Sequence, residues 1–121
     1  MDVFAEHRDM IDEQYLAVID TETNMFDEVI SVAVVVAHKE TYQIIEERYY
    51  IITPECEKPA MYEYALNDYP PFSKCNREEV ISDLRTLLLN HGVKNIFAYN
   101  AKFDYRHLPE LADYTWHDIM S

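Results

Sequence analysis

The sequence has little glycine, few basic residues and no long apolar run. The last two shortages exclude whole classes of surface and of protein. It has 1 glycine, and its 10 Lys and Arg face 23 Asp and Glu, which gives a formal net charge of -13 at pH 7. Phosphates would therefore meet no basic surface spread over the domain, so any nucleic acid has to be held locally. No apolar run is long enough to span a membrane, and residues 1–14 mix charges where a secretion signal would be apolar. We expect a cytoplasmic protein that contacts no membrane.

Cysteine and histidine are also sparse. Cys56 and Cys75 are the only cysteines, and neither belongs to a CxxC pair. Two reduced thiols are therefore expected rather than a zinc site or a disulfide framework. The five histidines are scattered, and we interpret them as surface or capping residues, with His107 packing on the helix that follows it.

The remaining composition predicts one compact domain. Hydrophobic residues make up 49% of the chain, with 10 Tyr, 5 Phe and 1 Trp, which is too apolar for a disordered protein. We divide the chain into an N-terminal arm, residues 1–14, and a domain, residues 15–121. Strands are predicted at residues 15–20, 28–37 and 42–53, with a tight connection at 38–41, so these three should form an antiparallel meander.

Proline and helix signals organise the second half of the chain. Four of the 5 prolines fall between Pro54 and Lys74, a segment that we predict to be an irregular crossover with a short helix at residues 60–66. A helix is predicted from Asn76 to His91, because Asn76 and Glu79 form a capping box and Gly92 follows as a terminator. Its apolar stripe consists of Val80, Ile81, Leu84, Leu87 and Leu88. A crossover of this length favours a strand at residues 95–98 parallel to the first strand.

Two strands end in acidic residues. Asp20 and Glu22 are two apart after an apolar run, so both side chains should lie on the same face of the first strand. A strand-end or turn role for Asp20 is the alternative. After residues 95–98, Asn100 is at a strand-to-helix junction, where a helix-cap role would explain it but would leave Phe103 and Asp104 unexplained. Parallel strands that bring acids to one sheet edge are typical of a divalent-metal site.

These segments resemble the two first motifs of the DEDD superfamily of 3′–5′ exonucleases, the DnaQ-like proofreading branch of the ribonuclease H-like fold. The D-x-E motif is matched from Asp20 to Glu22, and the N-x-x-F-D motif from Asn100 to Asp104. The resemblance covers residues 15–121 and implies an α/β fold with a mixed five-stranded sheet and flanking helices. Asn24 departs from the family's usual glycine, and Tyr99 from the histidine of many members.

The resemblance also implies an activity. Members remove nucleotides from the 3′ end of DNA or RNA with two Mg²⁺ or Mn²⁺ ions, which activate a water and stabilise the leaving oxygen. Asp20 would contact both ions, Glu22 one, and Asp104 would complete the second ion's site, so these three are the catalytic and metal-binding candidates. The candidates on the substrate side are Thr21 and Thr23, which would line the terminal-nucleotide pocket, Asn100 as an orienting residue and Phe103 as a helix anchor.

The family's third motif is the main departure. It supplies a fourth carboxylate from a late helix, as H-x-x-x-x-D or Y-x-x-x-D. Residues 114–118 spell Y-x-x-x-D, but they are rich in strand formers, so we interpret them as the last strand, with Asp118 as a ligand being the alternative. We expect the late helices and the general base to lie beyond this chain.

Two expectations and two alternatives follow. The chain should be a weakly active or inactive portion of the exonuclease, and the uncovered sheet face should promote self-association. A non-catalytic exonuclease-like binding or interaction module is the alternative. An acidic interaction domain unrelated to nucleases is a third interpretation, for which both motifs would be accidents.

Overall fold

The computed structural model describes residues 13–60 and 71–119 of the chain. A six-stranded mixed sheet is the centre of this part. The strands are β1 Tyr15–Thr23, β2 Val29–His38, β3 Ile44–Ile52, β4 Ser73–Cys75, β5 Asn95–Ala98 and β6 Thr115–Asp118. The helices are α1 Arg77–Asn90 and α2 Ala101–His107, with 3-10 turns at Glu55–Glu57 and Pro109–Leu111. The strand order is β4-β3-β2-β1-β5-β6.

The strand directions confirm the predicted meander and crossover. β1 pairs antiparallel with β2, and β2 with β3, while β5 runs parallel to β1 and β6 parallel to β5. The C-terminal ends of β1, β5 and β6 therefore lie at the same edge of the sheet. Residues 115–118 form a strand, as predicted, and not a helix.

The sheet has one strand more than predicted. β4 pairs parallel with the last residues of β3, Tyr50 to Ile52, and includes the last two residues of the segment predicted to be irregular up to Lys74. Three residues are too few for a period-two pattern to be recognised, and the pairing joins segments far apart in the chain. The short helix predicted at residues 60–66 lies, apart from Ala60, outside the described residues.

Helix α1 matches its prediction closely. The Asn76 side chain accepts a hydrogen bond from the backbone N–H of Glu79 at 2.8 Å and donates to its carboxylate at 3.2 Å. The buried residues are the predicted stripe, Val80, Ile81, Leu84, Leu87 and Leu88. Gly92 adopts φ 63°, and the N–H groups of Gly92 and Val93 donate to the carbonyls of Leu89 and Leu88, which is the Schellman termination that favours glycine.

Both described helices lie on one face of the sheet. The side chains of α1 pack with Ala17, Ile19 and other inward-facing strand residues, and Leu108 and Leu111, which follow α2, join the same cluster. The opposite face, which we call the second face, carries half-buried apolar side chains from the central strands: Leu16, Val18, Ala33, Val35 and Phe97. Self-association through this face stays a prediction.

No helix in residues 13–60 and 71–119 is both long and apolar enough to cross a membrane. Cys56 and Cys75 are both free and partly buried.

Candidate active site

The two motifs meet through a hydrogen-bonded contact between β1 and α2. β1 continues past its pairing with β5, which is at Ala17 and Val18. Beyond that pairing, the backbone N–H and the hydroxyl of Thr21 both donate to Oδ1 of Asp104, at 3.1 and 2.6 Å. Asp104 is only 3% exposed. The carboxylate thus takes the place of a neighbouring strand at the end of β1 and is fixed there.

Asp20 and Glu22 are the neighbours of Thr21 on either side. Because side chains alternate along a strand, they point to the second face, whereas Thr21 points to the side of α2. In the register with β2 they lie opposite Ala33 and Ser31. Asp20 is exposed and Glu22 half-buried. The predicted common face of the two acids is confirmed.

Electrostatics shows that the three carboxylates share one region. Burial raises the pKa of Glu22, and the negative charges of Asp20 and Asp104 raise it further. Burial raises the pKa of Asp104 as well, the hydrogen bonds from Thr21 oppose the shift, and the charge of Asp20 adds to it. Although Asp20 is exposed as a residue, neighbouring groups partly desolvate its carboxylate and raise its pKa, and a hydrogen bond from the backbone of Thr21 opposes the rise. Each acid therefore holds its charge at a cost that a cation would relieve.

The side chains do not form a ready-made coordination sphere. In the described ranges, no group of three or more His, Cys, Asp or Glu side chains is close enough to hold a metal ion. Like charges favour side-chain rotamers that turn away from one another, and an exposed residue such as Asp20 is free to do so. The predicted sharing of one cation by the three acids stays a prediction.

The donor set nevertheless fits a hard divalent cation. Asp104 is a buried carboxylate whose hydrogen bonds within the described residues come from Thr21 and both end on Oδ1, so Oδ2 can face a ligand. Carboxylate oxygens are the ligands that Mg²⁺ and Mn²⁺ prefer in proteins. Asp20, Glu22 and Asp104 would hold the metal.

The other predicted site residues, Thr23, Asn100 and Phe103, make fewer contacts that bear on the site. Thr23 is half-buried at the irregular end of β1. Asn100 is the N-cap residue of α2, so the cap alternative is correct in position, although its side chain makes no capping hydrogen bond. Its backbone carbonyl accepts from the N–H groups of Phe103 and Asp104. Phe103 is half-buried, with its ring 4.1 Å from that of His107. Its role as a helix anchor is compatible with this contact.

Two features were missed from the sequence. Thr21 holds Asp104, a role that the hydroxyl between the two acids of D-T-E could have suggested. His107 was interpreted as a surface or capping residue that packs on the following helix, but it is buried and bonded to Asp27 in the β1–β2 turn. Its partner is 80 positions away in the chain, so no local pattern indicates it.

We expect Mn²⁺ to stabilise the fold through this site. Because the pKa values of all three acids are raised, their contribution to stability is fully present below the ordinary carboxyl pKa and is lost as the pH rises through the raised values. At neutral pH the charged acids thus weaken the metal-free fold. Mn²⁺ at 100 times its Kd would add about 2.7 kcal/mol by mass action, a shift of several degrees in Tm.

The measurement is thermal melting at pH 7 with and without Mn²⁺. The double variant Asp20→Asn, Asp104→Asn should melt no lower than the wild type without metal and should show no Mn²⁺ shift. Asp113→Asn removes one acid beside Arg85, away from the site, and should keep the shift. An equal Mn²⁺ shift in the double variant would contradict the site.

Comparisons with known proteins add no family to this geometry. No protein-family model matches the chain, and no curated protein does.

Proposed function

We propose that this domain has a ribonuclease H-like fold and is a metal-dependent 3′–5′ exonuclease of the DEDD type, which hydrolyses phosphodiester bonds at the 3′ end of DNA or RNA. The observation that carries the proposal is the contact between Thr21 and Asp104, residues 83 apart in sequence. It joins the D-x-E strand to the N-x-x-F-D helix. The pairing of β1 with β5 brings the two segments to one edge of the sheet, and this contact bonds a residue of one motif directly to the acid of the other.

The sheet supports the same proposal. In the sheet, the strands lie side by side in the order β3-β2-β1-β5-β6. The first three are antiparallel to one another and the last two run parallel to β1, which agrees with the mixed five-stranded sheet that the resemblance implies. β4 adds a short edge strand to it. The acids of both motifs consequently lie near the C-terminal ends of β1 and β5, two adjacent parallel strands.

The roles follow from the positions. Asp20, Glu22 and Asp104 would hold two Mg²⁺ or Mn²⁺ ions, which when bound supply charge stabilisation at the phosphate and an activated water. Thr21 holds Asp104 in place, since it donates two hydrogen bonds to one carboxylate oxygen.

The substrate side is less charged than the metal side. Thr23 is the last residue of β1 and Asn100 lies two residues after β5, so both flank the acids where a terminal nucleotide would meet them. Lys102, exposed on α2 next to this edge, supplies a local cation in an otherwise acidic chain. Local attraction of this kind is what a domain with a net charge of -13 needs to hold a phosphate backbone.

We propose further that the activity of this chain is weak. Asp118, the acid of the Y-x-x-x-D sequence, is at the end of β6 opposite Ala98, two strands from Asp20, and not on a helix that faces the other acids. The second candidate function, a non-catalytic module that binds a strand end, is favoured by the lack of a formed three-ligand cluster among the described side chains.

The test is digestion of a single-stranded oligonucleotide under single-turnover conditions with excess protein and Mn²⁺. With a 5′ label, we expect a ladder of products shortened from the 3′ end; with a 3′ label, we expect release of the labelled mononucleotide. Chelation by EDTA should stop both. Internal cleavage would contradict the exonuclease, and Mn²⁺-dependent binding of the strand without cleavage would favour the non-catalytic module.

A further inference from the structure

A buried histidine lies on the same helix as Asp104. His107 is 7% exposed, and each of its ring nitrogens is within hydrogen-bond distance of an oxygen: Nδ1 is 2.7 Å from the carbonyl oxygen of Phe103, and Nε2 is 2.8 Å from Oδ1 of Asp27. The ring also packs on that of Phe103. The contacts with Phe103, on the same helix, therefore orient the His107 ring so that Nε2 points at the β1–β2 turn.

The backbone of Asp27 is fixed on the other side of the contact, although its side chain is 68% exposed. It adopts φ 64°, in the left-handed region that few residues other than glycine accept, although Asp is among those that tolerate it. The turn around it is built by the buried Asn24, whose side chain accepts from the N–H groups of Phe26 and Glu28 and donates to the carbonyl of Glu55. The carboxylate of Asp27 is thus presented from a fixed backbone.

The helix needs such anchors because it is short. α2 has 7 residues, too few to be stable alone, so its orientation depends on tertiary contacts. Asp104 and His107 are three apart and lie on the same side of the helix. One is bonded to Thr21 in β1 and the other to Asp27 in the turn that follows β1. Thr21 and Asp27, the two residues that α2 contacts, lie on either side of Glu22 in the sequence.

We propose that His107 and Asp27 form a positioning clamp, which holds α2 against the β1–β2 turn so that Asp104 stays on Thr21 beside Asp20 and Glu22. Its catalytic meaning rests on the proposed function, whereas its effect on the position of Asp104 does not. The ring can donate to the carbonyl and to an ionised Asp27 at once only when both nitrogens carry a proton.

The clamp is tested with substitutions at Asp27 that avoid backbone strain. Asp27→Gly removes the carboxylate and accepts the positive φ, whereas Asp27→Asn keeps an oxygen that can accept from Nε2. The control is Asp113→Gly, which removes a comparably exposed acid and an ion pair: the side chains of Asp27 and Asp113 are 68% and 61% exposed. Asp113 precedes β6 and is therefore at the opposite edge of the sheet from Asp104.

The first readout needs no metal. Hydrogen exchange of the Thr21 amide, which donates to Asp104, reports whether that contact persists, and the Leu88 amide in α1 reports global unfolding. We expect Asp27→Gly to speed exchange at Thr21 about tenfold relative to Leu88, Asp27→Asn to restore most of the protection, and Asp113→Gly to leave it unchanged. Equal acceleration at both amides, or none at Thr21, would overturn the clamp.

The second readout is the Kd for Mn²⁺ by calorimetry. Loss of a partner that orients a metal ligand typically weakens binding 10- to 100-fold, so we expect a Kd about ten times higher or more in Asp27→Gly and close to wild type in Asp27→Asn. A wild-type Kd that Asp27→Gly leaves unchanged would also overturn the clamp. If the wild type binds no Mn²⁺ at all, the proposed function fails, and the Thr21 exchange rate still decides the clamp.

Discussion

Replacing Asp104 by asparagine is expected to lower the Mn²⁺-dependent trimming rate on the order of 10²- to 10³-fold, while the fold is kept. The asparagine oxygen can still accept both hydrogen bonds from Thr21, so the substitution removes charge and leaves shape nearly unchanged. A preorganised electrostatic group at a reacting centre is usually worth an effect of this size. Circular dichroism and the melting temperature should match the wild type, because relief of repulsion offsets any loss of packing.

The matched control for Asp104→Asn is Asp118→Asn. Asp118 is at the same edge of the sheet but two strands away from Asp20, on β6. We expect single-turnover rates within about threefold of the wild type, since it lies outside the proposed site. A loss in Asp118→Asn as large as that in Asp104→Asn would show that Tyr114 and Asp118 act as the third motif after all.

The largest expected effect on stability is at Leu84. This side chain is fully buried in the middle of the α1 stripe, whereas Leu89 on the same helix is 69% exposed. Leu84→Ala should lower the free energy of unfolding by about 2–5 kcal/mol, through lost burial and the cavity that remains. Leu89→Ala should change it by less than about 0.5 kcal/mol.

The two leucines allow a direct comparison of stability effects, because they are the same residue type on the same helix and differ in burial. Both substitutions change the same residue type on the same helix, so the difference in urea midpoint at a common m value reports mainly packing against the sheet. Similar losses at both positions would mean that α1 does not pack on the sheet through the predicted stripe.

The sequence predicted well where the signal was local. α1 was found from a repeat of apolar residues, a capping pair and one glycine, all of which act within a few residues of one another. The acids of β1 were placed on a common face because strand side chains alternate. The meander and the parallel crossover followed from loop lengths and chain connectivity.

Features that depend on distant partners were not predictable in this way. β4 forms by pairing with the edge of β3, and its three residues are too few to show the alternating pattern of a strand. The burial of His107 depends on Asp27, whose left-handed backbone is set by hydrogen bonds to Asn24. The rotamers of the acids in the site depend on their mutual repulsion, which sequence spacing does not encode.

The shortness of β4 leaves part of β3 as an open edge. β4 pairs only from Tyr50 onward, so no described strand covers the outer side of β3 near Ile44, which is 52% exposed. An open apolar edge of this kind invites pairing with another chain, which is how sheets begin to aggregate. Glu46 and Glu47 lie two and three residues after Ile44 on the same strand and repel a second acidic copy. The surplus of acid that denies the domain a broad basic surface thus also protects its sheet from edge-to-edge growth.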